Sequence, residues 1–180
     1  MIEKAIETNP FDHIIYEFSM YLQASVLQSS DQFVNNLLVE SRMVHMRNLA
    51  YFFCSEKEKG KSYLHYTTYI SEIIPDEIDR EVFIDIQRIT SNSTCHLLKG
   101  RFSETFKQET SLFEQSVFPK FVRLIKRFLD SANRGVRIEY IDQWKHKQIQ
   151  ENACFIMDLI AQIGIDEKVP IGITGNTQTK

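Results

Sequence analysis

Apolar residues recur along this chain at the spacing of helices. Phe11, Ile14, Ile15, Phe18, Leu22 and Val26 share one face, and His13 falls opposite them. Asn9-Pro10 opens that segment with a capping side chain followed by proline, whose fixed φ suits the first helical position. Ser29-Ser30-Asp31 is a second start signal, and the helix it opens runs to about Cys54. Phe33, Val34, Leu37, Leu38, Val44, Leu49, Phe52 and Phe53 nearly encircle this segment, which predicts a central helix covered on all sides.

The charged run from Ser55 to Ser62 reads as a solvated loop. Residues 63–74 are rich in aromatic and β-branched side chains and permit either a short strand or a helical turn. Pro75-Asp76 starts a third helix, with Ile78, Val82, Ile86, Ile89 and Leu97 inward and Gly100 as its C-cap. A polar stretch, Arg101 to Ser111, precedes the next pattern of Phe118, Phe121, Val122, Ile125 and Leu129. Pro119 either kinks that helix or begins its second part, and Asn133-Arg134-Gly135 ends it. A last helix covers about Ile138 to Gln162 and stops at Gly164. Five helical segments without a sheet predict an all-α fold, an antiparallel helical bundle of about five helices. The expected organisation is one domain over residues 1–164 and a flexible tail over 165–180, where Gly, Pro and small polar residues gather.

Composition narrows the class. No apolar run approaches the roughly 20 residues of a membrane span, and the N-terminus has acids but no apolar signal core, so a cytoplasmic protein without a membrane partner is expected. Cys54, Cys95 and Cys154 are odd in number, far apart and set in apolar helical surroundings, which reads as buried, reduced thiols. The net charge of −3 is unevenly spread: residues 1–119 carry 11 basic and 17 acidic side chains, residues 120–180 carry 10 basic and 7 acidic. That excludes a strongly basic nucleic-acid binder but leaves a basic patch near the C-terminal part.

Two groups of residues can carry chemistry. On the second helix, His45 and Asn48 share the stripe of Val34, Leu38 and Phe52, with Arg47 beside them. His96 lies on the inward stripe of the third helix, and Arg101 follows Gly100. One reading is a pair of hydrogen-bonded core histidines with structural arginines. The other is a composite catalytic pocket, His45, Arg47, Asn48, His96 and Arg101, in which imidazole serves as acid or base and guanidinium clamps an anion. No Glu-x-x-His or His-x-x-x-His pair occurs, so no metal and no cofactor are expected. The second group is Lys120, Arg123, Arg127 and Arg134, opposite the apolar face of the fourth helix. It reads as an exposed stripe, either a solvated face or a phosphate-binding, nucleic-acid surface.

The run Glu40-Ser41-Arg42-Met43-Val44-His45-Met46-Arg47-Asn48-Leu49-Ala50-Tyr51-Phe52-Phe53, followed by His96-Leu97-Leu98-Lys99-Gly100-Arg101, resembles a group of uncharacterised bacterial all-α proteins. They share E-S-x-x-x-H-x-R-N-L-x-x-F-F and a downstream H-L-x-x-x-R, and the resemblance implies a fold without an activity. More loosely, the arrangement is similar to HEPN proteins, helical bundles that are often toxins or phage-defence RNases. Their motif is an Arg, a polar residue and, four to six positions on, a His, usually used across a dimer. Arg47-Asn48 matches its start, but Tyr51, Phe52 and Phe53 stand where the His belongs, and seven residues separate Arg88 from His96.

Two functions are therefore expected in order. The first is a non-enzymatic interaction or regulatory module with a protein partner, in a bacterial toxin–antitoxin or defence setting. The alternative is a metal-independent HEPN-like RNase with His/Arg acid–base chemistry, for which RNA is the partner and a homodimer the implied assembly.

Overall fold

Helices dominate because each apolar stripe finds a partner around one shared core. The computed structural model describes residues 9–54, 65–74, 77–90 and 104–164, with backbone alone over 104–110. The helices are α1 (Pro10–Val26), α2 (Gln32–Cys54), α3 (Arg80–Thr90), α4 (Glu104–Arg134), the single turn α5 (Ile141–Trp144) and α6 (Lys147–Ile163). Among the described residues there is no strand, only an isolated antiparallel bridge between Ile70 and Val136. The fold is an all-α helical bundle, as the periodicity predicts.

The start signals work as expected. The Asn9 side chain accepts from Phe11 N at 3.0 Å, and Asp31 Oδ1 accepts from Phe33 N at 2.7 Å and Val34 N at 3.2 Å. Gly164 closes α6 with φ at 68°, a left-handed conformation that costs other residues strain. The third helix starts later than its proline suggests: Asp79 caps it, accepting from Val82 N at 2.9 Å, and Ile78 is buried ahead of the first turn. The ambiguous stretch becomes a 3-10 turn over Tyr66–Thr68 followed by the bridge at Ile70. Pro119 does not divide the fourth helix, which runs unbroken from Glu104 and takes in the polar stretch before Phe118.

Helix α1 sits at the centre. Phe18 packs on Phe52 and Phe53 of α2 at 5.9 Å each, and on Phe128 of α4 at 5.5 Å. Tyr21, one turn further along α1, meets Phe121 and Phe118, so α4 runs antiparallel to α1. Phe11 packs on Trp144 of α5, while Tyr16 and Phe155 of α6 line one shallow cleft, so the chain from α5 into α6 advances in the direction of α1. The predicted last helix is broken near Lys145 because Trp144 turns inward to Phe11. The Asn9 amide donates to the Gln143 carbonyl, and Gln150 donates to the Trp144 carbonyl.

Helix α2 departs from its expected place. Its second half is buried through Met43, His45, Met46, Leu49, Ala50, Phe52 and Phe53. Its first half is not: Phe33 is 68% exposed and Leu37 49%, and Val34 and Val39 are exposed too. The antiparallel pairing with α1 explains this, since α1 ends at Val26 and supplies nothing for the first two turns of α2 to pack on. The thiols also depart from expectation: Cys54 is half-buried and Cys154 exposed. Cys95, residues 55–64, Pro75-Asp76, Leu97, Gly100 and the predicted tail lie outside the described residues.

Phe18→Ala is expected to cost about 3–5 kcal/mol by opening a cavity among three rings. Phe33→Ala is expected to cost less than about 0.5 kcal/mol, as an exposed change does. Urea unfolding of both variants checks the contrast, and equal losses would place the first half of α2 in the core.

Candidate functional site

His45 and Asn48 lie one helical turn apart on α2, so both side chains reach the same level of α1. At that level stands Glu17. His45 Nδ1 lies 2.7 Å from Glu17 Oε2 and donates to it when Glu17 is ionised. The Asn48 amide donates to both Glu17 oxygens, at 3.1 and 3.2 Å. His45 is only 7% exposed, and Tyr16 closes over its ring edge-on at 5.6 Å. The arrangement ties α1 to α2 by one carboxylate held from two sides.

A second polar node lies one to two turns further along. Arg42 Nη1 donates to the carbonyl of Ala24 at 3.0 Å, satisfying a last-turn acceptor at the negative end of α1. Its Nε and Nη2 face the two oxygens of Glu114 on α4, each at 3.3 Å. Burial pushes the Glu114 carboxyl up, and the charge and hydrogen bonds of Arg42 only partly offset it. Burial also raises the Tyr21 hydroxyl, with the nearby Glu114 charge acting in the same direction, so Tyr21 stays neutral.

Of the predicted catalytic group, the described residues bring His45 and Asn48 together, on Glu17. Arg47 is half-buried beside them. His96 and Arg101 lie outside the described residues. Neither of two surface clefts is lined by His45. Among the described residues, no three His, Cys, Asp or Glu side chains gather as a metal site would need.

The predicted basic stripe is not a free solvated face. Arg123 donates to Glu77 at 2.9 Å through Nε, and Arg127 Nη1 meets the same carboxylate at 2.7 Å. Arg134 pairs with Glu72, which also accepts from Ser131. Lys120 is half-buried. Burial raises the Glu77 carboxyl, but hydrogen bonds and charge from Arg123 and Arg127 together outweigh it and hold the group below the usual carboxylate range. The Arg134 hydrogen bond, with help from Ser131, holds Glu72 low.

Sequence reasoning missed Glu17, Glu72, Glu77, Arg42 and Glu114. Glu17 sits at the border of the α1 apolar face, between Tyr16 and Phe18, and that border position was the one signal present. Glu72 belongs to a segment that the pattern leaves ambiguous, and Glu77 to the expected start of the third helix, which begins only at Arg80. No helix of the described residues is long and apolar enough to cross a membrane. The chain matches no family model, no curated protein and no solved structure.

His45→Ala is expected to lower stability by roughly 1–3 kcal/mol, through a cavity and the loss of one of the two partners of Glu17. Glu17→Ala with His45→Ala should lose less than the two single losses combined, as a double-mutant cycle would read; strict additivity would show that the pair does not interact. The depressed Glu77 carboxyl contributes stability above its unfolded range, and that contribution is lost as pH falls through the folded value. Glu77→Gln should therefore be destabilised at pH 7 and converge with the unchanged protein in strong acid. A stability gap of constant size across that titration would remove the ion pairs as its cause.

Proposed function

We propose that this chain is a non-enzymatic helical interaction module whose protein partner covers the first half of α2, in a bacterial toxin–antitoxin or defence setting. The observation that carries the reading is the apolar stripe on that half. Phe33 and Leu37 lie along one side of the helix with Val34 beside them, all exposed. An exposed apolar stripe of this kind costs solubility unless something covers it. From Gln32 to Val39 the helix carries no charged residue, so the matching surface is apolar and uncharged, which suits a protein and not a nucleic-acid backbone.

The RNase alternative has less support. His45 and Asn48 spend polar atoms on Glu17, and Arg123, Arg127 and Arg134 spend charge on Glu72 and Glu77. A general base needs access to the proton it removes, and Tyr16 packs against the His45 ring.

The test compares the unchanged protein with a Phe33→Glu/Leu37→Glu double variant in affinity capture from the native host. Both positions are exposed, so the variant should keep its fold and melting temperature. The expected result is a specific protein recovered with the unchanged chain and lost with the variant. Recovery of the same protein by both would move the interface elsewhere. Cleavage of single-stranded RNA in EDTA to a 2′,3′-cyclic phosphate, lost by about 100-fold in His45→Ala, would replace this reading with the enzymatic one.

A further inference from the structure

Between the end of α1, the middle of α2 and the first half of α4 lies a cleft of about 290 Å³. Its apolar wall is Leu27, Met46 and Phe118, and its floor is Tyr21, Arg42 and Glu114. We propose that this cleft binds a short aliphatic carboxylate, whose carboxyl group takes the place of Glu114 on the Arg42 guanidinium.

Three observations carry the proposal. First, the Arg42 fork is held independently of Glu114, because Nη1 is already fixed on the Ala24 carbonyl. If Glu114 swings away, Nε and Nη2 stay aimed into the cleft as a ready carboxylate receptor. Second, the Glu114 contacts at 3.3 Å are longer than the ~2.7–2.9 Å of a well-made charge-assisted pair. Third, the cavity is at the small end of ligand pockets, and its apolar wall stands beside the fork, which fits a monoanion with a short hydrocarbon tail.

The charge inventory selects a carboxylate over a phosphate. Among the described residues, the titratable and charged groups lining the cleft are Tyr21 from α1, Arg42 from α2 and Glu114 from α4. One cation cannot neutralise a dianion beside an acid, but it can hold a monoanion if Glu114 takes up a proton. Burial already biases Glu114 toward that protonated form. Tyr21, kept neutral, remains a donor at the cleft floor.

The experiment titrates the protein with acetate, butyrate and hexanoate at pH 6 and pH 8, followed by NMR shifts of the cleft residues. Affinity should rise about fourfold per added methylene, the effect of burying each one. Binding should weaken as pH rises and Glu114 ionises, because the charged carboxylate competes for the fork. In Glu114→Gln the pH dependence should vanish, and binding at pH 8 should strengthen about tenfold. Leu27→Asp, an exposed change at the cleft wall, should weaken hexanoate at least tenfold without altering the fold. Absence of hexanoate binding to Glu114→Gln at millimolar concentration would reduce Arg42–Glu114 to a structural ion pair and overturn the proposal. So would equal affinity for acetate and hexanoate, or an unaffected Leu27→Asp variant.

Discussion

The contact of Phe18 with three phenylalanines on two other helices is the constraint from which the rest of the bundle follows. It fixes α1 as the element that α2 and α4 must both touch, and it sets their level along the α1 axis. With that level set, the polar partners fall into place. Glu17 meets His45 and Asn48 beside the ring cluster, and Arg42 reaches the end of α1 and Glu114. Buried aromatic area supplies the non-directional force, and the few buried polar groups choose one packing among those that force allows.

The helices were legible because their caps and periodicity are local properties. Asn9-Pro10, Ser29-Ser30-Asp31 and Gly164 mark boundaries by chemistry within one turn, and those boundaries hold in the structure. What covers an apolar face is not local. Helix α2 is apolar nearly all round, yet among the described residues its buried side chains begin only at Met43, because α1 ends at Val26 and cover from it ends there. The break before α6 was hidden for the same reason: Trp144 leaves the helical path to reach Phe11, which is distant in sequence.

The candidate site was legible in half. The sequence offers His45 and Asn48 as inward polar groups that need partners, and a partner is present. It does not say that the partner is Glu17, since a single acid at a face border looks like any solvated carboxylate. The basic stripe misleads in the opposite way. Charge counted along a helix ignores the acids that tertiary structure brings to it, and Glu72 and Glu77 come from segments far away in sequence.

One continuous helix thus spans two environments, and its amides should divide accordingly. Backbone N–H groups of Asn36 to Val39, in the half of α2 where Phe33, Leu37 and Val39 are exposed, should open by local fraying and exchange with solvent on that short timescale. Those from Leu49 to Phe53, beside and within the phenylalanine cluster, should exchange only when the whole bundle unfolds. A protein partner seated on the first half would slow the fast amides and leave the slow ones as they are. Helix α2 is thereby its own internal reference, with occupancy read at one end and global stability at the other.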